Sequence, residues 1–240
     1  MAKFGIGQAV ARTEDPRLLT GKGRYTDDVS MPGQAVGFFL RSPFAHARIA
    51  SIDVSAAASA PGVIGVTTSA DLAADGIGPI PVGFVPKNRG GWDMPKPARP
   101  ALAAERVRHV GDPVALIVAG TLDQARDAAE LIEIDYETLP AIVDTAGAVA
   151  DGAPKVWDLE RGNMVFDWEL GDAAAVDAAF AKAPHTCTVD LVNNRVLANP
   201  MEGRACLSGY DRESERFTLY VSSQGVHGIK NQLADDIFGL

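Results

Sequence analysis

The chain has 240 residues, 47% hydrophobic and 22% charged, with 22 basic against 31 acidic side chains and a formal net charge of −9. That length allows one large domain or two small ones with a sizeable core, and that composition excludes wholesale disorder. An acidic surface repels phosphate backbones and gives no electrostatic reason to sit on an anionic membrane, so nucleic-acid binding and membrane association are both disfavoured.

The opening residues, Met1 to Gly5 followed by Gly, Gln, Arg and Glu, do not form a signal peptide. The stretch 11–21, rich in Arg, Glu and Asp, predicts an extended arm with at most one turn, and Asp27-Asp28 before Met31-Pro32-Gly33 marks a turn. Strands are predicted at 35–41, 47–54 and 63–67. A short Ala-rich helix from Ser55 to Ala60 is closed by Pro61-Gly62, and a second short helix is capped by Ser69 with Asp71 in its first turn. Residues 76–100, rich in Gly and Pro and carrying an exposed-looking Trp92, predict a long structured loop of the kind that makes contacts or carries function.

Val114 to Ala119 is a continuous apolar run between Pro113 and Gly120, the pattern of a fully buried strand and far too short to span a bilayer. Thr121 is placed to cap a helix whose apolar stripe is Leu122, Ala125, Ala128, Ala129 and Ile132. Ile132, Ile134 and Tyr136 then alternate with Glu133, Asp135 and Glu137, a half-buried strand with its acids in water. Residues 140–170 read as a connection carrying Trp157 and Trp168. Beyond it come a helix from Asp172 to Lys182, an alternating strand from His185 to Val192, and a hairpin of strands at 203–210 and 216–223. A last helix, near 226–238, is capped by Gly239.

Generic motifs supply no function. Gly5-Ile6-Gly7 has no preceding strand and has Val at position 10, so it is not a dinucleotide fingerprint; Thr20-Gly21-Lys22-Gly23 lacks the features of a phosphate loop. His46, His109, His185 and His227 have no metal-ligand spacing, and Cys187 and Cys206 make neither a disulfide scaffold nor a zinc site. Two free thiols fit a reducing, cytoplasmic setting. The physical reading alone is a soluble acidic α+β protein.

Four stretches resemble the large, molybdopterin-binding subunit of the molybdenum hydroxylases, the family of xanthine dehydrogenase, aldehyde oxidase and the bacterial carbon monoxide dehydrogenases. They are Arg12-Thr13-Glu14-Asp15 with Leu18 to Tyr25 and Asp27-Asp28; Ser42-Pro43, His46 to Ile49 and Pro61-Gly62-Val63; Val110 to Ala115 continuing to Tyr136-Glu137 and Leu139-Pro140-Ala141; and Asn199 to Ala205 with Ser222-Ser223-Gln224 and His227. The resemblance implies an α+β fold: an extended arm over 1–19, an α/β hammerhead domain over 20–143, a connector over 144–171, and the first part of a molybdopterin-binding domain over 172–240. It implies a molybdopterin-type cofactor in the complete enzyme, and partners consisting of the rest of the large subunit, an iron–sulfur subunit and an FAD subunit. The implied reaction is oxidation of an aldehyde, N-heterocycle or similar small molecule with oxygen from water.

Residue by residue, Gln224 resembles the family glutamine beside the molybdenum oxo group, where a neutral amide donates without adding charge; its other reading is a strand-end side chain bonded to the next helix. Glu202 resembles a second site residue; its other reading is a structural carboxylate paired with Arg204 or capping backbone. Gly203 stands where the family usually has Pro, which frees the local backbone. His227 reads as a helix-start residue. The resembled subunits are much longer and carry their general base and most pterin-binding loops in sequence this chain lacks, so the 240 residues alone are expected to hold neither pterin nor metal. The alternative is a non-catalytic assembly or scaffold protein with a hammerhead fold.

Overall fold

The computed structural model of the chain describes residues 11–194 and 196–240. The helices are α1 (Asp15–Leu19), α2 (Ser55–Ala58), α3 (Ser69–Ala74), α4 (Leu122–Ala129), α5 (Ala173–Lys182) and α6 (Val226–Asn231). The strands are β1 (Val36–Arg41), β2 (Ala47–Asp53), β3 (Val63–Thr68), β4 (Arg106–Val107), β5 (Pro113–Ala119), β6 (Glu133–Thr138), β7 (Cys206–Asp211) and β8 (Arg216–Val221). They form two compact units. One comprises residues 11–34 with 191–225, and the other comprises Ala35–Asp190 with Val226–Leu240.

The larger unit is built on two three-stranded antiparallel sheets, ordered β1-β5-β3 and β4-β2-β6. Strand β5 is central to the first sheet because its sequence is apolar on both faces. One face buries Ala115, Ile117 and Ala119, while Leu116 and Val118 opposite are half-buried. Helix α4 lies on the buried face through Ala125, Ala128 and Ala129, whose small side chains let the helix approach the sheet, and α2 adds Ala57. Thr121 caps α4 by accepting a hydrogen bond from the Gln124 N–H (3.2 Å). The turn before β3 needs a glycine: Gly62 has φ +80°, and an added Cβ would collide with the Gln124 side chain.

The second sheet packs Ala47, Val107, Ala103 and Val114, with Ile49, Ile52, Ile134 and Tyr136 partly buried around them. The alternation of β6 is as expected, with Ile134 and Tyr136 inward and Glu133, Asp135 and Glu137 outward. Strands β5 and β6, though separated only by α4, belong to different sheets, so this strand–helix–strand succession is not a parallel crossover unit.

Three further expectations are corrected in detail. The cap of α3 is Thr68, not Ser69: the Thr68 N–H and hydroxyl both donate to Asp71 Oδ2 at 2.7 Å, so the box begins one residue earlier. Trp92 is half-buried, with the Arg161 guanidinium 4.7 Å above its ring. The alternating stretch 185–192 is not a strand, since nothing among the described residues pairs with it. The long loop 76–105 carries no helix or strand, but it is pinned. Asn88, buried, donates from Nδ2 to the Trp92 carbonyl (3.0 Å) and accepts from the Asp167 N–H (2.8 Å), and Arg89 pairs with Asp167 (2.8 Å).

The smaller unit holds the β7–β8 hairpin and the residues before it. The turn at 212–215 is ordered by Asp211, whose carboxylate accepts from the Glu213 (2.9 Å) and Ser214 (3.3 Å) N–H groups and is held below the usual carboxylate range by those bonds. In the same unit, Thr26–Asp28 form one 3₁₀ turn, whose opening Tyr25 N–H donates to Asp28 (2.8 Å). The last helix begins as α6 and widens into π-helical Gln232–Phe238, ending at Gly239 in the left-handed conformation (φ 65°). No described helix is long and apolar enough to cross a membrane.

Candidate functional site

Glu202 lies just before β7 and is half-buried. Its Oε1 accepts two hydrogen bonds, from the Thr26 N–H (3.0 Å) and the Thr26 hydroxyl (3.1 Å). Thr26 opens the 3₁₀ turn, whose first N–H has no partner within the turn, so the carboxylate serves as its cap from 176 residues away. Of the two readings of Glu202, this geometry is that of backbone capping. Arg204 is exposed and forms no ion pair with it among the described residues.

Gln224 sits in the link between β8 and α6, exposed, and its amide makes no side-chain hydrogen bond among the described residues. It is therefore a donor and acceptor available to an external group. His227 stands exposed in the first turn of α6. Glu202 and Gln224 flank the same hairpin, but no described contact joins their side chains.

A cleft in the larger unit has a volume of about 590 Å³. Its walls are mostly apolar, from the 80–101 loop, Pro113 and Trp157, with Arg106, Arg108 and His109 at its polar side. Most of those charges are already engaged. Arg106 pairs with Asp158 (2.9 Å). Arg108 donates to the Val156 and Arg106 carbonyls (3.2 Å each) and stacks 3.5 Å over the Trp157 ring. Burial, reinforced by Arg106, pushes the Arg108 guanidinium below its ordinary pKa. Asp112 accepts from the Arg108 N–H (2.9 Å) and lies 3.5 Å from the exposed His109 ring. The cleft thus offers shape and stacking, with its carboxylate already occupied in holding a turn.

His46 is the other buried titratable side chain of interest. Its Nδ1 lies 2.8 Å from the Pro140 carbonyl, which can only accept, so Nδ1 carries the proton and Nε2 is left buried without a partner among the described residues. Both cysteines are exposed free thiols. No group of three or more His, Cys, Asp or Glu among the described residues is arranged to hold a metal ion. The exposed Gln224 amide is of the kind that can donate to a cofactor oxygen.

The roles of Thr26, Arg108 and Arg161 are not legible in the sequence. Each acquires its role from a partner or ring distant in the chain, and no local pattern marks such a pair.

Comparison with known proteins places these residues in context. Residues 20–140 match the family model described as aldehyde oxidase and xanthine dehydrogenase, a/b hammerhead domain, and residues 156–240 match the molybdopterin cofactor-binding domain. The chain is 39% identical over 225 residues to the nicotine 6-hydroxylase large subunit of Paenarthrobacter nicotinovorans, covering 94% of this chain and 27% of that protein. It is 37% identical to the carbon monoxide dehydrogenase large chain of Afipia carboxidovorans, covering 94% of this chain and 28% of that one. Among solved structures, it is similar to quinoline 2-oxidoreductase from Pseudomonas putida 86, with TM-score 0.76, 36% identity and coverage of 93% and 27%. It is also similar to the Cu,Mo-CO dehydrogenase, with TM-score 0.80, 35% identity and coverage of 95% and 29%. The chain spans little more than a quarter of the length of these relatives.

Proposed function

The chain belongs to the family of molybdopterin-binding large subunits that includes xanthine dehydrogenases, aldehyde oxidases and carbon monoxide dehydrogenases, and on that membership we propose that it works as the hammerhead and leading molybdopterin-domain part of a molybdenum hydroxylase. The observation that carries this reading is the pair of family matches, in order, over 20–140 and 156–240. In the proposed assembly an aldehyde, N-heterocycle or similar small molecule is oxidised with oxygen from water, and electrons leave through an iron–sulfur subunit to an FAD subunit. The same reading places the complex in the cytoplasm.

The molybdopterin cofactor supplies the redox and oxygen-transfer chemistry when bound. This chain's own residues supply position. Gln224 presents a neutral amide that orients a polar oxygen without adding charge. Glu202 contributes by holding Thr26, which fixes the segment before β7 and with it the start of the hairpin that leads to Gln224. The hammerhead contributes two apolar core clusters of its own.

The test is purification of the native complex containing this chain, with mass, molybdenum and flavin analysis and turnover of aldehydes and N-heterocycles with an artificial electron acceptor. The expected result is a molybdenum-containing complex with further large polypeptide. Material that contains no molybdenum and never associates with such a chain overturns the reading and leaves the scaffold alternative. Within the complex, Gln224→Ala lowers turnover with assembly intact; unchanged turnover removes Gln224 from the site.

A further inference from the structure

The cleft between the 80–101 loop and Trp157, about 590 Å³, has the size of a small-molecule site. Its apolar wall is stiff. Pro95, Pro97 and Pro100 lie on it with restricted backbone and no N–H to offer, and Trp157 adds a flat ring. Main-chain bonds hold the wall in place: the Ile80 N–H donates to the Arg99 carbonyl (2.8 Å), and the Ala103 N–H donates to the Pro113 carbonyl (2.7 Å).

The polar side is cationic. Arg99, Arg106 and Arg108 line it against a single carboxylate, Asp112, in a chain whose net charge is −9. Asp112 is turned to the Arg108 N–H (2.9 Å) and lies 3.5 Å from His109. Each guanidinium carries five N–H donors, and none of the three is saturated. Arg106 engages only Nη1, with Asp158 (2.9 Å). Arg108 engages Nε and Nη1, with main-chain carbonyls (3.2 Å each). The exposed Arg99 side chain bonds nothing among the described residues. Burial and the neighbouring Arg106 charge both disfavour the Arg108 cation, and Asp112, Asp158 and Glu105 offset this only in part. A guanidinium keeps its proton at neutral pH, so the repulsion persists until an anion enters.

We propose, independently of the functional reading above, that this cleft binds a small aromatic carboxylate, its carboxylate held by Arg106 and Arg108 and its ring packed on the wall of prolines and Trp157. A carboxylate matches the guanidinium fork with two parallel bonds. The donor-poor wall favours an apolar body, and flat surfaces favour a ring. Inorganic phosphate has the charge but nothing to place on that wall.

The experiment is isothermal titration of sodium 2-naphthoate into the purified protein, paired with amide hydrogen exchange. The expected result is saturable binding that slows exchange at 106–112 and 156–158. The neutral 2-naphthamide binds about tenfold more weakly or worse, because it loses the charge-assisted bonds, and inorganic phosphate does likewise because it buries no apolar surface. Arg108→Gln weakens 2-naphthoate about tenfold or more. Arg99→Gln, at an exposed side chain with no partner to lose, weakens it about fivefold. Arg126→Gln, on α4 and off the cleft, leaves affinity within about twofold. If Arg108→Gln unfolds, Arg99→Gln decides the matter. The site is overturned by no saturable binding up to about 1 mM, by 2-naphthamide or phosphate binding as tightly as 2-naphthoate, by unchanged exchange at 106–112, or by an affinity in Arg99→Gln no lower than in Arg126→Gln. Each of these outcomes leaves the functional reading standing.

Discussion

Replacing Glu202 by alanine removes the acceptor for both the Thr26 N–H and the Thr26 hydroxyl. Hydrogen bonds to a charged group contribute about 1.5–3 kcal/mol, and the half-burial of Glu202 puts the expected loss at the lower end, about 1.5 kcal/mol. The loss is local, so it is read at the Thr26 amide by hydrogen exchange, which reports opening of that turn separately from global unfolding. At about 1.4 kcal/mol per decade, Thr26 exchanges roughly tenfold faster in Glu202→Ala. Glu202→Gln keeps an acceptor oxygen but loses the charge assistance that about doubles each bond, so its Thr26 amide exchanges roughly threefold faster. Exchange at Ile117, in the hammerhead core, stays unchanged in both. If Thr26 in Glu202→Ala exchanges within a factor of two of the parent, the carboxylate is not its cap.

Ile117→Ala, at the fully buried centre of β5, costs about 2–5 kcal/mol in urea unfolding, while Ile64→Ala at an exposed site costs below about 0.5 kcal/mol; a difference under about 1 kcal/mol contradicts the assigned core. Asn88→Ala strands the Trp92 carbonyl and the Asp167 N–H together, a loss of about 1–3 kcal/mol that exchange at the Asp167 amide detects; unaltered exchange there means the loop is pinned by something else. Asp71 is held below the usual carboxylate range, chiefly by the Thr68 N–H and then by its hydroxyl. A depressed folded-state pKa makes its contribution complete above the unfolded value of about 3.9 and progressively lost as pH falls through the lower folded value. The stability gap between parent and Asp71→Asn, about 1 kcal/mol or less for this exposed cap, therefore narrows between pH 6 and pH 3; a gap that widens on acidification refutes the sign.

Where structure follows from neighbours in sequence, the residues announced it. The spacing of Ala125, Ala128 and Ala129 after a capping Thr121 specified both α4 and its buried face, and the alternation from Glu133 to Tyr136 specified which side of β6 meets water. Both patterns are local, and their outcome is too. Sheet membership is not local. Nothing in the run from β5 to β6 says that the two strands separate into different sheets, because pairing is decided by β1 and β3 on one side and β2 on the other. The stretch 185–192 has the alternation of a strand but pairs with nothing among the described residues. Glu202 is the sharpest case in the candidate site: as a family-like acid it reads as chemistry, and only the position of Thr26 shows the cap.

The two parts of the chain differ in how far each satisfies its own apolar surface. Every buried apolar residue among those described lies between Ala47 and Ala129, and all but Leu102 and Ala115 fall in the clusters beneath α4 and around β2. From residue 171 onward no described residue is buried; α5 leaves Val176 and Phe180 in water although Asp172 caps it (2.9 Å to the Ala175 N–H). A helix of ten residues draws most of its stability from packing rather than from propensity, and a two-stranded hairpin likewise. On the proposed reading, the hammerhead carries its own core and the second part is the leading portion of a larger molybdopterin-binding domain. Gln224 lies in that second part, exposed between β8 and α6. Gln224→Ala therefore leaves the urea unfolding midpoint of the isolated chain within error, since its amide bonds nothing described there, and lowers turnover only in the assembled complex. A change of more than about 0.5 kcal/mol in the isolated chain's unfolding free energy would instead make Gln224 a structural residue of the hairpin's exit.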